Sequence, residues 1–122
     1  MGMYIVTNNP MILALHPGAK RVSGGPLEVL SECRKKVHAG YSLVTYPLMG
    51  DIHLLANPFR TVILADKKGK VDILSLRWIE ESIEKIHSLA SRPKDVESLK
   101  DYETLDFELV QAAMNSNGGI FP

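Results

Sequence analysis

The chain has 122 residues, enough for one hydrophobic core and too few for two. Apolar residues make up 45% of it, an ordinary globular share that excludes a disordered chain and removes the need for a metal or disulfide staple. Fourteen Lys plus Arg balance fourteen Asp plus Glu, so the broad basic surface that binds nucleic acid is not expected.

Residues 3–6 (Met-Tyr-Ile-Val) read as a buried strand, rich in β-branched and aromatic side chains. Asn9 then fits a helix N-cap with Pro10 at the first helical position, predicting a short apolar helix over 10–16. Residues 19–23 (Ala-Lys-Arg-Val-Ser) form a weaker and more polar strand, which belongs at a sheet edge. Over 26–39 the apolar positions Leu27, Leu30, Cys33 and Val37 recur at helical spacing. Glu28 in the first turn and Lys35, Lys36 and His38 in the last complement the helix dipole, and Gly40 follows as a stop.

Two further strands are expected, at 41–45 (Tyr-Ser-Leu-Val-Thr) and 61–65 (Thr-Val-Ile-Leu-Ala). The strongest helix spans 72–90, where Leu76, Ile79, Ile83, Ile86 and Ala90 make one stripe, with Glu80, Glu81 and Glu84 off it as a solvated face. Pro93 breaks that pattern, and a last helix is expected from Thr104 as cap to Asn115, with Phe107, Val110 and Met114 on one side. Strands alternating with helices favour right-handed crossovers. The expected fold is therefore one small three-layer α/β/α domain with a mostly parallel four-stranded sheet in the order 2-1-3-4, extended by helix from about residue 93.

Ligands of open α/β sheets bind beyond the carboxyl ends of the strands, where the winding reverses. In the order 2-1-3-4 that point lies between the first and third strands. Three polar turns are expected to converge on that rim: Thr7, Asn8 and Asn9; Ser23, Gly24 and Gly25; and Thr45, Tyr46, Gly50 and Asp51. Each also has a plainer reading as a turn or cap, and Ser23-Gly24-Gly25 lacks a full phosphate-binding motif. The 48–60 segment is long for a loop in so small a chain and carries Asp51, His53, Asn57 and Arg60, a set able to combine acid–base and anion-binding roles. The four histidines show no paired-ligand spacing, so neither a metal nor a cofactor is expected. Cys33, the only cysteine, falls on an apolar stripe and reads as a packing residue. A single thiol, the absence of a basic-then-apolar leader ahead of the first strand, and no run near the ~20 apolar residues of a membrane span set the expected location as the cytoplasm.

The strand leading into Thr7-Asn8-Asn9-Pro10, the stretch from Tyr41-Ser42-Leu43-Val44-Thr45 through Tyr46-Pro47-Leu48-Met49-Gly50-Asp51-Ile52, and Asn57-Pro58-Phe59-Arg60-Thr61-Val62-Ile63-Leu64 resemble the GrdX-like family. These are small proteins associated with the glycine reductase system of amino-acid-fermenting anaerobic bacteria. This chain departs from the family's Thr-His-Pro-Leu-x-Gly pattern by carrying Tyr46 at the His position, which argues against a general acid–base role there. The resemblance implies an accessory protein beside a selenium-dependent reductase that makes acetyl phosphate from glycine, and not the reductase itself. Three roles are weighed: a binder of a small, anionic ligand at the strand ends, using Thr7, Asn8, Asn9, Ser23, Gly24, Thr45, Tyr46, Gly50, Asp51, Asn57 and Arg60; a module docking on a glycine reductase subunit or forming a homodimer; and a small enzyme using Asp51, His53 and Tyr46. No nucleic-acid or membrane partner is expected.

Overall fold

The computed structural model describes residues 3–45, 57–66, 69–88 and 99–115. Four strands and four helices follow one another as β1 (Met3–Thr7), α1 (Pro10–Leu15), β2 (Lys20–Arg21), α2 (Pro26–His38), β3 (Ser42–Leu43), β4 (Thr61–Ala65), α3 (Ile73–Ser88) and α4 (Leu99–Asn115). The strands form one sheet in the order β2-β1-β4-β3.

That order corrects the expected 2-1-3-4 parallel arrangement. β1 pairs with β2 in parallel, but β4 runs antiparallel to both β1 and β3, so the sheet is mixed. The physical reason lies in the connection between β3 and β4. The 48–60 sequence carries no helical periodicity that would make a crossover, and an antiparallel return needs none. The most apolar strand then takes an interior position: Thr61, Val62, Ile63 and Leu64 are all buried, whereas β2 at the edge is exposed. β1 and β4 pair over their full lengths, from Met3 opposite Ala65 to Thr7 opposite Thr61.

Side chains of the central strands alternate between two apolar layers. Val6, Val62, Leu64 and Leu43 join Val29, Leu30, Cys33 and Val37 of α2 and Ile79 and Ile86 of α3. Ile63 faces the other way and packs with Ile12 of α1 and Val110 and Ala113 of α4, with Ile5 and Val44 at the margin. Burying one such aliphatic side chain stabilises the fold by about 1.5–3 kcal/mol. Cys33 is fully buried, and that burial pushes its thiol up, away from reactive thiolate. Leu76 and Ile83 of the predicted stripe, with Trp78 beside it, cover the rim of the first layer; Ala90 lies outside the described residues.

Both edges of the sheet are protected. β2 is two residues long. At the other edge the Leu43 amide donates to Ser75 Oγ (3.0 Å) in the first turn of α3, and Ser75 in turn donates to Asp72. The amides of Val44 and Thr45 both donate to the Ile63 carbonyl (2.8 and 3.2 Å), a bulge that ends β3. α4 starts five residues before the expected cap, because the Thr104 hydroxyl donates back to the Lys100 carbonyl (3.0 Å) inside the helix instead of opening it.

α2 ends where Gly40 marked it. The Gly40 amide donates to the Val37 carbonyl and the Tyr41 amide to the Lys36 carbonyl, both at 3.0 Å, with Gly40 at φ 107°. Lys36 Nζ lies 4.9 Å from the Tyr4 ring centroid and 5.7 Å from that of Tyr41, so a cation seals the corner against two aromatic faces. Gly40→Ala is expected to lower stability by about 1–3 kcal/mol, because an L side chain is strained at that φ; urea denaturation at neutral pH measures it, and an unchanged midpoint would contradict the assignment.

Candidate functional site

Because β3 is parallel to β1 through their shared antiparallel neighbour, the carboxyl ends of β1, β2 and β3 and the start of β4 all lie on one edge of the sheet. Of the three polar turns, those after β1 and β2 meet the start of β4 on this edge, and of the third only Thr45 lies among the described residues. A pair of asparagines directly after β1 joins the first two to β4 and α4.

Asn8 uses its side chain as a three-way clasp. Its Nδ2 donates to the carbonyls of Gly24 (3.0 Å) and Pro58 (2.9 Å), and its Oδ1 accepts from the Arg60 amide (2.8 Å). One amide group thus ties the turn after β1 to those after β2 and before β4. Asn9 works in the other direction, toward α4. Its Oδ1 accepts from the Met11 amide (2.9 Å) as the cap of α1, and its Nδ2 donates to the Glu103 carbonyl (3.0 Å) and to Asp106 Oδ2 (2.9 Å). Asn57 repeats the arrangement, accepting from the Phe59 amide and donating to the Tyr102 carbonyl, both at 2.8 Å.

Beneath these lies a directed chain of hydroxyls. Thr61 Oγ1 donates to Asp106 Oδ2 (2.7 Å), which uses its single proton. The 2.7 Å bond between Thr7 Oγ1 and Thr61 Oγ1 must therefore be donated by Thr7, whose oxygen also accepts from the Asn9 amide (3.0 Å). The chain ends on a carboxylate in a residue only 3% exposed. Burial raises the pKa of Asp106, opposed by the bonds from Asn9 and Thr61 and by the Arg60 guanidinium. Burial likewise lowers that of Arg60, opposed by Asp106. Thr45 is buried too, its Oγ1 accepting from the Ile63 amide (3.0 Å) in place of a ladder carbonyl.

Beside this welded corner lies a cleft of about 620 Å³. Pro10, Leu13 and Ala14, one face of α1, give it an apolar wall continued by Val22; Asn8, Arg21, Ser23 and Gly24 give it a polar one. Gly24 adopts φ 119°, and a Cβ there would lie 2.7 Å from Glu28 Cγ. Glu28 Oε1 accepts from the Gly25 amide (2.8 Å), so the start of α2 already carries a carboxylate of its own.

A model of the family described as GrdX-like protein matches residues 4–115, from β1 to the end of α4. The chain belongs to the GrdX-like family. No curated protein and no solved structure matches it. Membership suggests a protein associated with glycine reductase.

The residues singled out in this GrdX-like chain separate into groups. Asn8, Ser23 and Gly24 line the cleft. Thr7, Asn9, Thr45, Asn57 and Arg60 are buried in the corner. Tyr46, Gly50 and Asp51, like His53, lie outside the described residues. The winding reversal expected between the first and third strands does not exist, since β4 lies between them, and the cleft opens at β1 and β2 instead. Arg21 carries its own signal in the sequence, since the edge strand it sits on exposes its charge. Asp106 also left a signal: it stands one turn before Val110, a charge on the buried stripe of α4. Among the described residues no three His, Cys, Asp or Glu side chains gather as metal ligands, and no helix is long and apolar enough to cross a membrane.

The raised pKa of Asp106 has a testable sign. The folded state takes up the proton at a higher pH than the unfolded chain, whose carboxyl titrates near 3.8. The cost of burying the charge is therefore present above the folded pKa and is relieved as pH falls through it. Relative to Asp106→Asn, the wild type should gain stability on acidification from neutral pH toward the ordinary carboxylate range, measured by urea denaturation at a series of pH values. Loss relative to that variant would show a carboxylate stabilised by its partners.

Proposed function

We propose that this GrdX-like protein is an accessory component of the glycine reductase system that binds a small anion-bearing ligand in the cleft beside β1 and β2, and does not itself carry out the reduction. The observation that carries the reading is the cleft itself. It combines an exposed guanidinium, a hydroxyl and an apolar wall, the mixture of a few polar groups on an apolar surface that small-molecule sites use. The hydroxyls and amides buried next to it shape the cleft instead of reaching into it. Thr7, Asn8, Asn9, Thr45 and Asn57 spend their hydrogen-bonding groups on the chain's own atoms.

Thermal denaturation of the wild type and Arg21→Ala with phosphate, acyl phosphate and carboxylate ligands tests this. A ligand at ten times its Kd adds about 1.4 kcal/mol, or about 5 °C in Tm for a chain of this size. The wild type should shift and Arg21→Ala should not. No shift with any anion, or an equal shift in both proteins, would refute the reading.

A further inference from the structure

We infer that the cleft selects a monocarboxylate carrying a short apolar body, with the carboxylate on Arg21 and Ser23 and the body against Leu13, Ala14 and Val22. The inference rests on the ligand-binding reading above and gives that ligand a chemical class. Three observations lead to it.

The first is charge. Among the described residues Arg21 is the cationic side chain that lines the cleft, and a planar guanidinium matches a carboxylate through two parallel hydrogen bonds. A phosphate ordinarily draws on backbone amides at a helix start as well. Here the Gly25 amide already serves Glu28 Oε1, and Pro26 has no amide proton to offer. The Glu28 carboxylate beside the rim also disfavours a second negative charge on the ligand. One cation and one nearby anion therefore suit a singly charged ligand better than a doubly charged one.

The second is the opposite wall. Leu13 and Ala14 point away from the core that Ile12 enters, and with Val22 they present aliphatic surface to the space Arg21 borders. An inorganic anion would leave that surface wet. An aliphatic body covers it.

The third is size. A volume of about 620 Å³ is many times the roughly 30 Å³ share of one water molecule, so an ion of a few atoms does not fill it. The cleft thus leaves room for an apolar body beyond the carboxylate.

Isothermal titration of the full chain with acetate, butyrate, hexanoate and inorganic phosphate decides the matter, with Arg21→Gln and Ala14→Asp as variants. Both positions are exposed, and unchanged thermal midpoints establish that the variants fold. Affinity should tighten by up to about fourfold for each methylene that reaches the apolar wall. Arg21→Gln should weaken every carboxylate at least tenfold, and Ala14→Asp should abolish the dependence on chain length. Phosphate binding as tightly as hexanoate, or affinity independent of chain length, overturns the inference while leaving a cleft for anions intact. Binding unaltered in Arg21→Gln overturns it as well. Should no anion bind, both this inference and the reading it rests on fall.

Discussion

Two consecutive asparagines hold one edge of this molecule together. A strand end must turn, and each turn exposes carbonyls and amides that lose water when neighbouring elements close over them. Asn8 and Asn9 meet that demand in opposite directions. The first fastens the turns after β1 and β2 to the start of β4, and the second fastens the same corner to α4. A primary amide suits the task because it offers two donors and an acceptor on one short stem. Aspartate would lose both donors at the same positions.

The cleft follows from that corner. With Asn8 drawn across to Pro58 and Arg60, the segment after β2 is held open against α1, and the residues left facing solvent are Arg21, Ser23 and the apolar face of α1. The division of labour is spatial: buried polar groups fix the shape, and Arg21 and Ser23 beside them are exposed. Asp106 belongs to the first class. Its carboxylate terminates the chain from Thr7 through Thr61, and its proximity to Arg60 compensates one buried charge with another.

The parts of this fold legible in the sequence were those governed by local chemistry. The run at 61–65 shows its burial because an interior strand is apolar on both faces, and α2 shows its end because only glycine suits the turn at Gly40. Sheet order was not legible, since antiparallel and parallel neighbours bury the same Thr-Val-Ile-Leu-Ala strand equally well. Thr7, Asn8 and Asn9 read as ligand-facing turn residues in the sequence, yet their side chains bond the corner itself. The sequence displays an Asn or a Thr but not whether its hydrogen bonds end on the chain or in solvent. Asp106 could have been suspected from its place on an apolar stripe, whereas its partners Asn9 and Thr61 lie 97 and 45 residues away along the chain.

Native-state hydrogen exchange on Asn9→Ala measures the role of the asparagine pair most directly, since local opening of one element is read separately from global unfolding. The account predicts that amides of α4 lose protection by a larger factor than those of α2 and α3, whose packing on the other face of the sheet does not involve Asn9. Unchanged protection in α4, or an equal loss in all three helices, would contradict it.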